Sequence, residues 1–339
     1  MGTIHKIADS LRNAITGAGT ARDPRQGNAY VAGAPLTQQQ IDAAYRGSGL
    51  MRKIIQIPAL DMVREWRGWK IDAELAVKIE AAEKRLSIRQ KVRDAEILRG
   101  LGGGALILGL PGNPSEPAPS NVTIGALAYV HVVSRWQLTF QELERDARLP
   151  GFGEPKMWRM ISDGGQVSIH PSRVIPFRAD TAAMLAAPTV SETDMFWGES
   201  RVAQVLDAVT DSDAARGAFA ALLHKARLTR IGIPGLSETV SMPNGQAQVQ
   251  ARLEVIALSE SMFNATIYDS GIDGQNGETI NDIAYSFAGA KDVLNAYAEF
   301  AAAISDIPAT RLLGRAPEGM NSSGDSQQTD WRKKVRAMQ

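Results

Sequence analysis

The stretch that decides the fold lies near the end of the chain: Asp306-Ile307-Pro308-Ala309-Thr310-Arg311-Leu312-Leu313-Gly314, followed by Arg315-Ala316-Pro317-Glu318-Gly319-Met320-Asn321-Ser322-Ser323-Gly324-Asp325. Upstream of it, Phe287 to Ile304 places apolar side chains at helical spacing. Pro308 has no N–H and its ring collides with the preceding turn, which marks the place where this helix stops. The spacing therefore predicts an Ala-rich helix over Ala290 to Ser305. That stiff rod feeds a polar loop in which Gly319 and Gly324 leave the backbone free to bend.

Before that rod, Gln246 to Phe263 reads as helix and Ala265 to Tyr268 as β-like. Gly271 to Gly277 holds three glycines among acidic and amide residues, and Ile280 to Phe287 offers a second strand. Asp269 to Glu278 is better read as a hairpin tip than as a calcium loop, because its oxygen ligands do not alternate as an EF-hand requires. The back third is thus helix, small β element, helix.

The front of the chain differs. Residues 1 to about 35 are polar and Gly-rich and read as a loosely held arm. Thr37 has the chemistry of an N-cap for a helix from Gln38 to Tyr45. Leu50, Ile54, Ile57, Leu60 and Val63 continue a buried face over Leu50 to Trp66, with a kink at Pro58, and Glu74 to Arg99 reads as one helix or as two joined at Ser87. Strands are predicted at Ala105 to Leu110, Ala126 to Val133, Lys156 to Ile161, Val167 to His170 and Val174 to Phe177. A long helix from Arg201 to Arg227 follows, then a strand from Leu228 to Ile233 and a turn-rich link to Asn244-Gly245. No internal repeat is present.

Composition narrows the function classes. With 339 residues, 44% hydrophobic and 22% charged, the chain can bury a sizeable core. Thirty-seven basic residues balance thirty-seven acidic ones, so the basic surplus of a phosphate-gripping protein is missing. Cysteine is absent, which excludes disulfides, thiolate metal sites and a cysteine nucleophile and suits assembly in a reducing cytoplasm. No run reads as a membrane span or a signal peptide.

No catalytic motif competes. Gly100-Leu101-Gly102-Gly103-Gly104-Ala105 can be forced onto the dinucleotide fingerprint, but helix precedes it and the apolar run follows, the reverse of the required order. It reads as a helix C-cap followed by a tight entry into a strand. A phosphate loop is lacking, and His5, His131, His170 and His224 show no zinc-hydrolase spacing. Gly198-Glu199-Ser200 is no nucleophile elbow, since Val202 stands where glycine is required. Trp66 and Trp69 beside Arg64 and Arg67 suit base stacking or, more commonly, apolar anchoring at a sheet edge. Met195-Phe196-Trp197-Gly198 reads as a hydrophobic lead-in, with Glu199 or Ser200 capping the next helix. Trp331 to Gln339 carries four positive charges and no negative one, which fits a solvated helix start or a contact with DNA phosphate. Catalytic, cofactor-binding and metal-binding residues are therefore not assigned.

From about Leu50 to Gln339 the chain resembles the phage portal proteins, most strongly over Trp197 to Arg201, where a W-G-x-S stretch opens a long wing helix, and over Phe287 to Asp325, where the I-P-A-T corner meets the G-x-N-S-S-G-D-S loop. The first fifty residues carry nothing diagnostic. The resemblance implies an α+β portal fold, a mixed helix and sheet wing with a two-helix stem and a small β clip. Its parts would be an arm over residues 1–35, the wing over 36–245, stem helices over 246–263 and 290–305, the clip over 264–289, a tunnel-loop region over 306–329, and the start of a further wing or crown helix over 330–339.

The resemblance further implies a virion component assembled in the host cytoplasm. It would be a homo-oligomeric ring, usually of twelve subunits, at one capsid vertex, through which double-stranded DNA is packaged and ejected. Its partners would be the terminase large subunit and then the head-tail adaptor at the clip, with the major capsid protein outside. Arg315, Asn321, Ser322, Ser323 and Gly324 would lie at the DNA channel. Stem helices that cannot enclose a core alone would bury Leu253, Ile256, Leu294 and Phe300 against neighbouring subunits. Portal proteins continue past this point into a long helix and a crown, so the resemblance implies a truncated or frameshifted copy, or a remainder supplied elsewhere. The alternatives are another virion or head-tail adaptor protein without a DNA channel, and a hydrolase or ligase acting on phage nucleic acid.

Overall fold

The computed structural model describes residues 35–123, 125–162, 164–181, 191–224, 227–232, 234, 236–263, 279–284, 289–314 and 325–339. The expected arm falls outside these residues except for Pro35. The chain divides into two compact units, Met1–Asp42 with Leu98–Ala203, and Ala43–Ile97 with Gln204–Gln339.

The elements run in order as helices α1 (Gln38–Gly47), α2 (Gly49–Arg64), α3 (Ala73–Leu86) and α4 (Ile88–Gly100), then strands β1 (Gly104–Gly109), β2 (Tyr129–Ser134), β3 (Leu138–Phe140), β4 (Trp158–Ser162), β5 (Gly165–Ile169) and β6 (Val174–Phe177). There follow α5 (Glu192–Trp197), α6 (Arg201–His224), β7 (Arg227–Gly232), α7 (Leu236–Ser241), α8 (Gly245–Phe263), β8 (Thr279–Ala284), α9 (Ala290–Ser305), α10 (Ala309–Leu313) and α11 (Asp325–Met338). Helices accompany small antiparallel sheets, as an α+β protein requires.

In the first unit two three-stranded sheets have the orders β2-β1-β6 and β3-β4-β5. Trp158, Phe196 and Trp197 pack edge to face or tilted at 5.2–5.5 Å, within a core that also holds Ala105, Ile107, Val133 and Leu138. The glycine cluster serves this core. The Gly103 N–H closes the last turn of α4 on the Leu98 carbonyl, and at φ 126° a Cβ there would stand 2.6 Å from the Trp197 ring. Gly198 sits at φ 82°, where a Cβ would meet the Asp180 carbonyl oxygen at 2.6 Å. Ser200 Oγ then accepts from the Ala203 N–H to open α6. The buried Arg173 satisfies three backbone carbonyls at 2.8–2.9 Å, those of Leu110, Pro111 and Glu116, and so pins the loop after β1.

In the second unit α2 is the central rod. Met51, Ile54, Ile55, Pro58 and Met62 form its buried stripe, and the helix continues through Pro58 as one element. Of the expected face, Ile54, Ile57 and Val63 are buried as read, while Leu60 is 47% exposed and Leu50 only half-buried, because Met51 and not Leu50 begins the covered side. Ser87, left-handed at φ 53°, separates α3 from α4, so the second of the two sequence readings of that stretch holds. Arg67 lies over the Trp66 and Trp69 rings, at 5.3 and 4.6 Å, and pairs with Glu83 of α3, whose other oxygen accepts from Trp66 Nε1 at 3.1 Å.

The strand expected at Ile280 to Phe287 is β8, and its antiparallel partner is β7, with Gly232 opposite Thr279 and Arg227 opposite Ala284. The β-like stretch Ala265 to Tyr268 and the expected tip at Asp269 to Glu278 lie outside the described residues. β3 and α7 carried no sequence signal. One is only three residues long, and the other sits in a run dominated by turn-forming residues.

Candidate functional site

The corner after α9 is built as the proline demands. Asp306 adopts a left-handed conformation at φ 55°, its N–H reaching the Ala303 carbonyl at 3.2 Å while the Ile307 N–H reaches that of Ala302 at 3.4 Å. These two bonds satisfy the last carbonyls of the helix in the Schellman arrangement, and the buried Ile307 tucks beneath it. Pro308 then opens α10, which Gly314 closes at φ 71°.

Both α10 and α11 pack on α2. Lys53 Nζ donates to the Leu312 carbonyl at 3.1 Å, and Gln339 Nε2 donates to that of Met62. At the centre stands Asp61. Arg311 grips its carboxylate through Nε at 2.9 Å and Nη2 at 2.7 Å, and Trp331 Nε1 adds a third donor at 2.9 Å. Burial alone would push the Asp61 carboxyl up. The hydrogen bonds from Arg311 and Trp331, with the charges of Arg311 and Arg64, outweigh it and hold the group below the usual carboxylate range. The carboxylate in turn raises the Arg311 guanidinium above its ordinary value. Lys334 completes the set by binding the Asp306 carboxylate, so α11 is also tied to the corner. The chain thus enters and leaves residues 315–324 from two helices fastened to one rod.

Beside this knot lies a cleft of about 570 Å³ whose cationic lining is Arg64, Arg311, Arg332 and Arg336 against Asp61 and Glu65. The Thr310 hydroxyl is buried there without a hydrogen-bond partner. Of the four cations in the last nine residues, Lys333 pairs with Asp330 and Lys334 with Asp306, which leaves Arg332 and Arg336 on the cleft. Such a surface can hold an anion. The bonds from Arg311 and Trp331 that hold its pKa down also make Asp61 a weak proton acceptor. Among the described residues no three metal-ligating side chains converge, and no helix is long and apolar enough to cross a membrane.

The sequence-selected residues fall in three groups. Arg315, Asn321, Ser322, Ser323 and Gly324 lie outside the described residues, as does the side chain of Ile256. Leu253 on α8 and Phe300 on α9 are exposed, at 43% and 59%. Leu294 is half-buried. Phe300 belongs to a stripe of exposed apolar side chains, Val293, Tyr297, Phe300 and Ile304, at i, i+4, i+7 and i+11, while Ala301, Ala302 and Ser305 face inward. Asp61 was not found from sequence, since a single acid on a helix that also carries Arg52, Lys53, Gln56 and Arg64 makes no pattern.

A family model described as phage portal protein matches residues 39–339. The chain belongs to the phage portal protein family. Two relatives of this portal chain carry the name anti-CBASS protein Acb1. One, from Sphingomonas paeninsulae, is 40% identical over 98% of the chain, and one from Caulobacter sp. (strain RHG1) is 36% identical over 94%. The portal chain spans about half the length of these curated relatives, 53% and 52%. Its fold is similar to chains in the virion of a native gene transfer agent (GTA) particle, with TM-score 0.53, 12% identity, and 91% of this chain and 79% of that one covered. It is also similar to a chain in the neck of an empty GTA particle, with TM-score 0.51, 16% identity, and 89% and 78% covered. The portal fold, read from the I-P-A-T corner, is thereby established, and with it a portal-like structural protein.

Proposed function

We propose that the chain is a subunit of a twelve-membered portal ring through which double-stranded DNA is packaged and ejected. The observation that carries this reading is the stripe Val293, Tyr297, Phe300 and Ile304, which leaves a water-exposed apolar seam along α9. Monomeric proteins rarely leave a large apolar seam uncovered, and a second copy offering a matching helix face would bury it. Leu253 and Val255, exposed on α8, extend the requirement to the preceding helix. Family membership supports a ring, and the GTA neck of similar fold was computed with C6 symmetry.

On this reading α8 and α9 are the stem, residues 264–289 the clip that meets the terminase and later the head-tail adaptor, and residues up to 245 the wing facing the capsid. Residues 306–329 approach DNA, with Arg315, Asn321, Ser322, Ser323 and Gly324 nearest to it. The Asp61 knot holds both ends of that segment to a rigid helix, and the role is structural rather than catalytic. Native mass spectrometry and class-averaged electron micrographs of the purified protein test the reading. Rings with a central hole are expected, and monomer alone at micromolar concentration would overturn it.

The names of the Sphingomonas and Caulobacter relatives favour a second reading, an anti-CBASS role. About half of each relative lies outside the matched stretch. We assign that role to the unmatched half, so the Sphingomonas protein stripped of its matched half should retain it.

A further inference from the structure

A second cleft, of about 620 Å³, opens where the C-terminal half of α2 meets α3 and the start of α4. Its lining holds five cationic residues and two carboxylates. Glu83 is already engaged by Arg67 and Trp66. Arg89 spends its guanidinium on the final carbonyls of α2, those of Val63 and Arg64, both at 2.7 Å. Among the described residues Lys84 and Arg89 have no carboxylate within ion-pair distance, and Arg64 forms no close pair although its charge also acts on Asp61. The lining therefore carries a surplus of positive charge.

Its floor is aliphatic. Leu60 is 47% exposed there beside Val63, and α3 next to it exposes Leu75 and Val77, the latter at 65%. A single-stranded nucleic acid would want bare aromatic faces to stack on. Those of Trp66 and Trp69 are covered by Arg67, and the Trp66 N–H is bonded to Glu83. What the surface offers is cation at the rim and aliphatic carbon at the base.

We propose that this cleft docks an acidic, leucine-bearing helical segment of a partner protein, its carboxylates meeting Arg64 and Lys84 and its aliphatic side chains covering Leu60. Charge complementarity sets orientation and the apolar floor supplies the burial, the division of labour of helix-in-groove recognition. The site is independent of the α9 seam, so its occupancy does not rest on ring assembly.

The test is fluorescence anisotropy with labelled synthetic helical peptides. One carries Glu and Leu on a single face, a second replaces Glu by Gln, a third replaces Leu by Ser, and a labelled oligo-dT strand stands for nucleic acid. Only the first is expected to bind. Lys84→Glu and Leu60→Asp, both at exposed positions, should each weaken it by about tenfold or more with unchanged circular dichroism and melting temperature. Absence of peptide binding, equal binding by both variants, or preferential binding of oligo-dT would each overturn the proposal.

Discussion

Asp61 on α2 and Arg311 on α10, 250 residues apart in the chain, meet in a two-pronged ion pair whose carboxylate also takes the Trp331 indole N–H. The Asp61 side chain is 10% exposed and that of Arg311 35%, so the pair is screened by water on one side only. Both α10 and α11 are joined to α2 through this one carboxylate.

Asp61→Ala should therefore destabilise the protein by about 3 kcal/mol, since it strands a half-buried guanidinium and an indole donor. Arg311→Ala should cost less, because Trp331 and solvent still serve the carboxylate. Urea unfolding of both single variants and the double variant measures the coupling, expected at about 1–2 kcal/mol.

The same carboxylate sets an acid dependence. Its folded pKa lies below the unfolded value, so the folded state binds the proton less tightly. The stabilisation is complete above the unfolded pKa of about 4 and is lost as pH falls through the folded one. The stability gap between wild type and Asp61→Asn should stay level from neutral pH to about pH 4 and close only below it.

Glu199 shows the opposite sign. Burial first, and the Asp180 charge second, raise its carboxyl above the usual range. Its ionised form is therefore a cost, fully present above the folded pKa and relieved as pH falls through it. Glu199→Gln should raise the melting temperature near neutral pH, with the gain shrinking in mild acid.

Gly198→Ala should be among the most damaging single changes, about 3 kcal/mol. It places a side chain in left-handed backbone and drives a Cβ to 2.6 Å from the Asp180 carbonyl oxygen. Differential scanning calorimetry reads the loss.

Phe300→Asp should leave the isolated subunit folded, because the side chain is 59% exposed, while abolishing assembly. Unchanged circular dichroism beside a shift from ring to monomer in native mass spectra is the expected pair of results.

Much of this architecture was legible in the residues because local chemistry dictated it. Pro308 ends α9, Thr37 caps α1 with the Gln40 N–H donating to its hydroxyl, and the glycine run closes α4 before β1. What escaped was non-local. Nothing near Asp61 announces Arg311, and nothing near Thr279 announces Gly232. Leu294 and Phe300 looked equivalent as apolar helix positions, yet only the fold tells that Val293, Tyr297, Phe300 and Ile304 are turned outward and Leu294 is partly covered.

The pairing of β7 with β8 has a consequence for how such chains diversify. Gly232 stands opposite Thr279, so everything between them departs from and rejoins the scaffold at a single doorway. A stretch attached in that manner is a cassette. Its length can change without altering the register of the two strands, provided Gly232 and Thr279 stay paired.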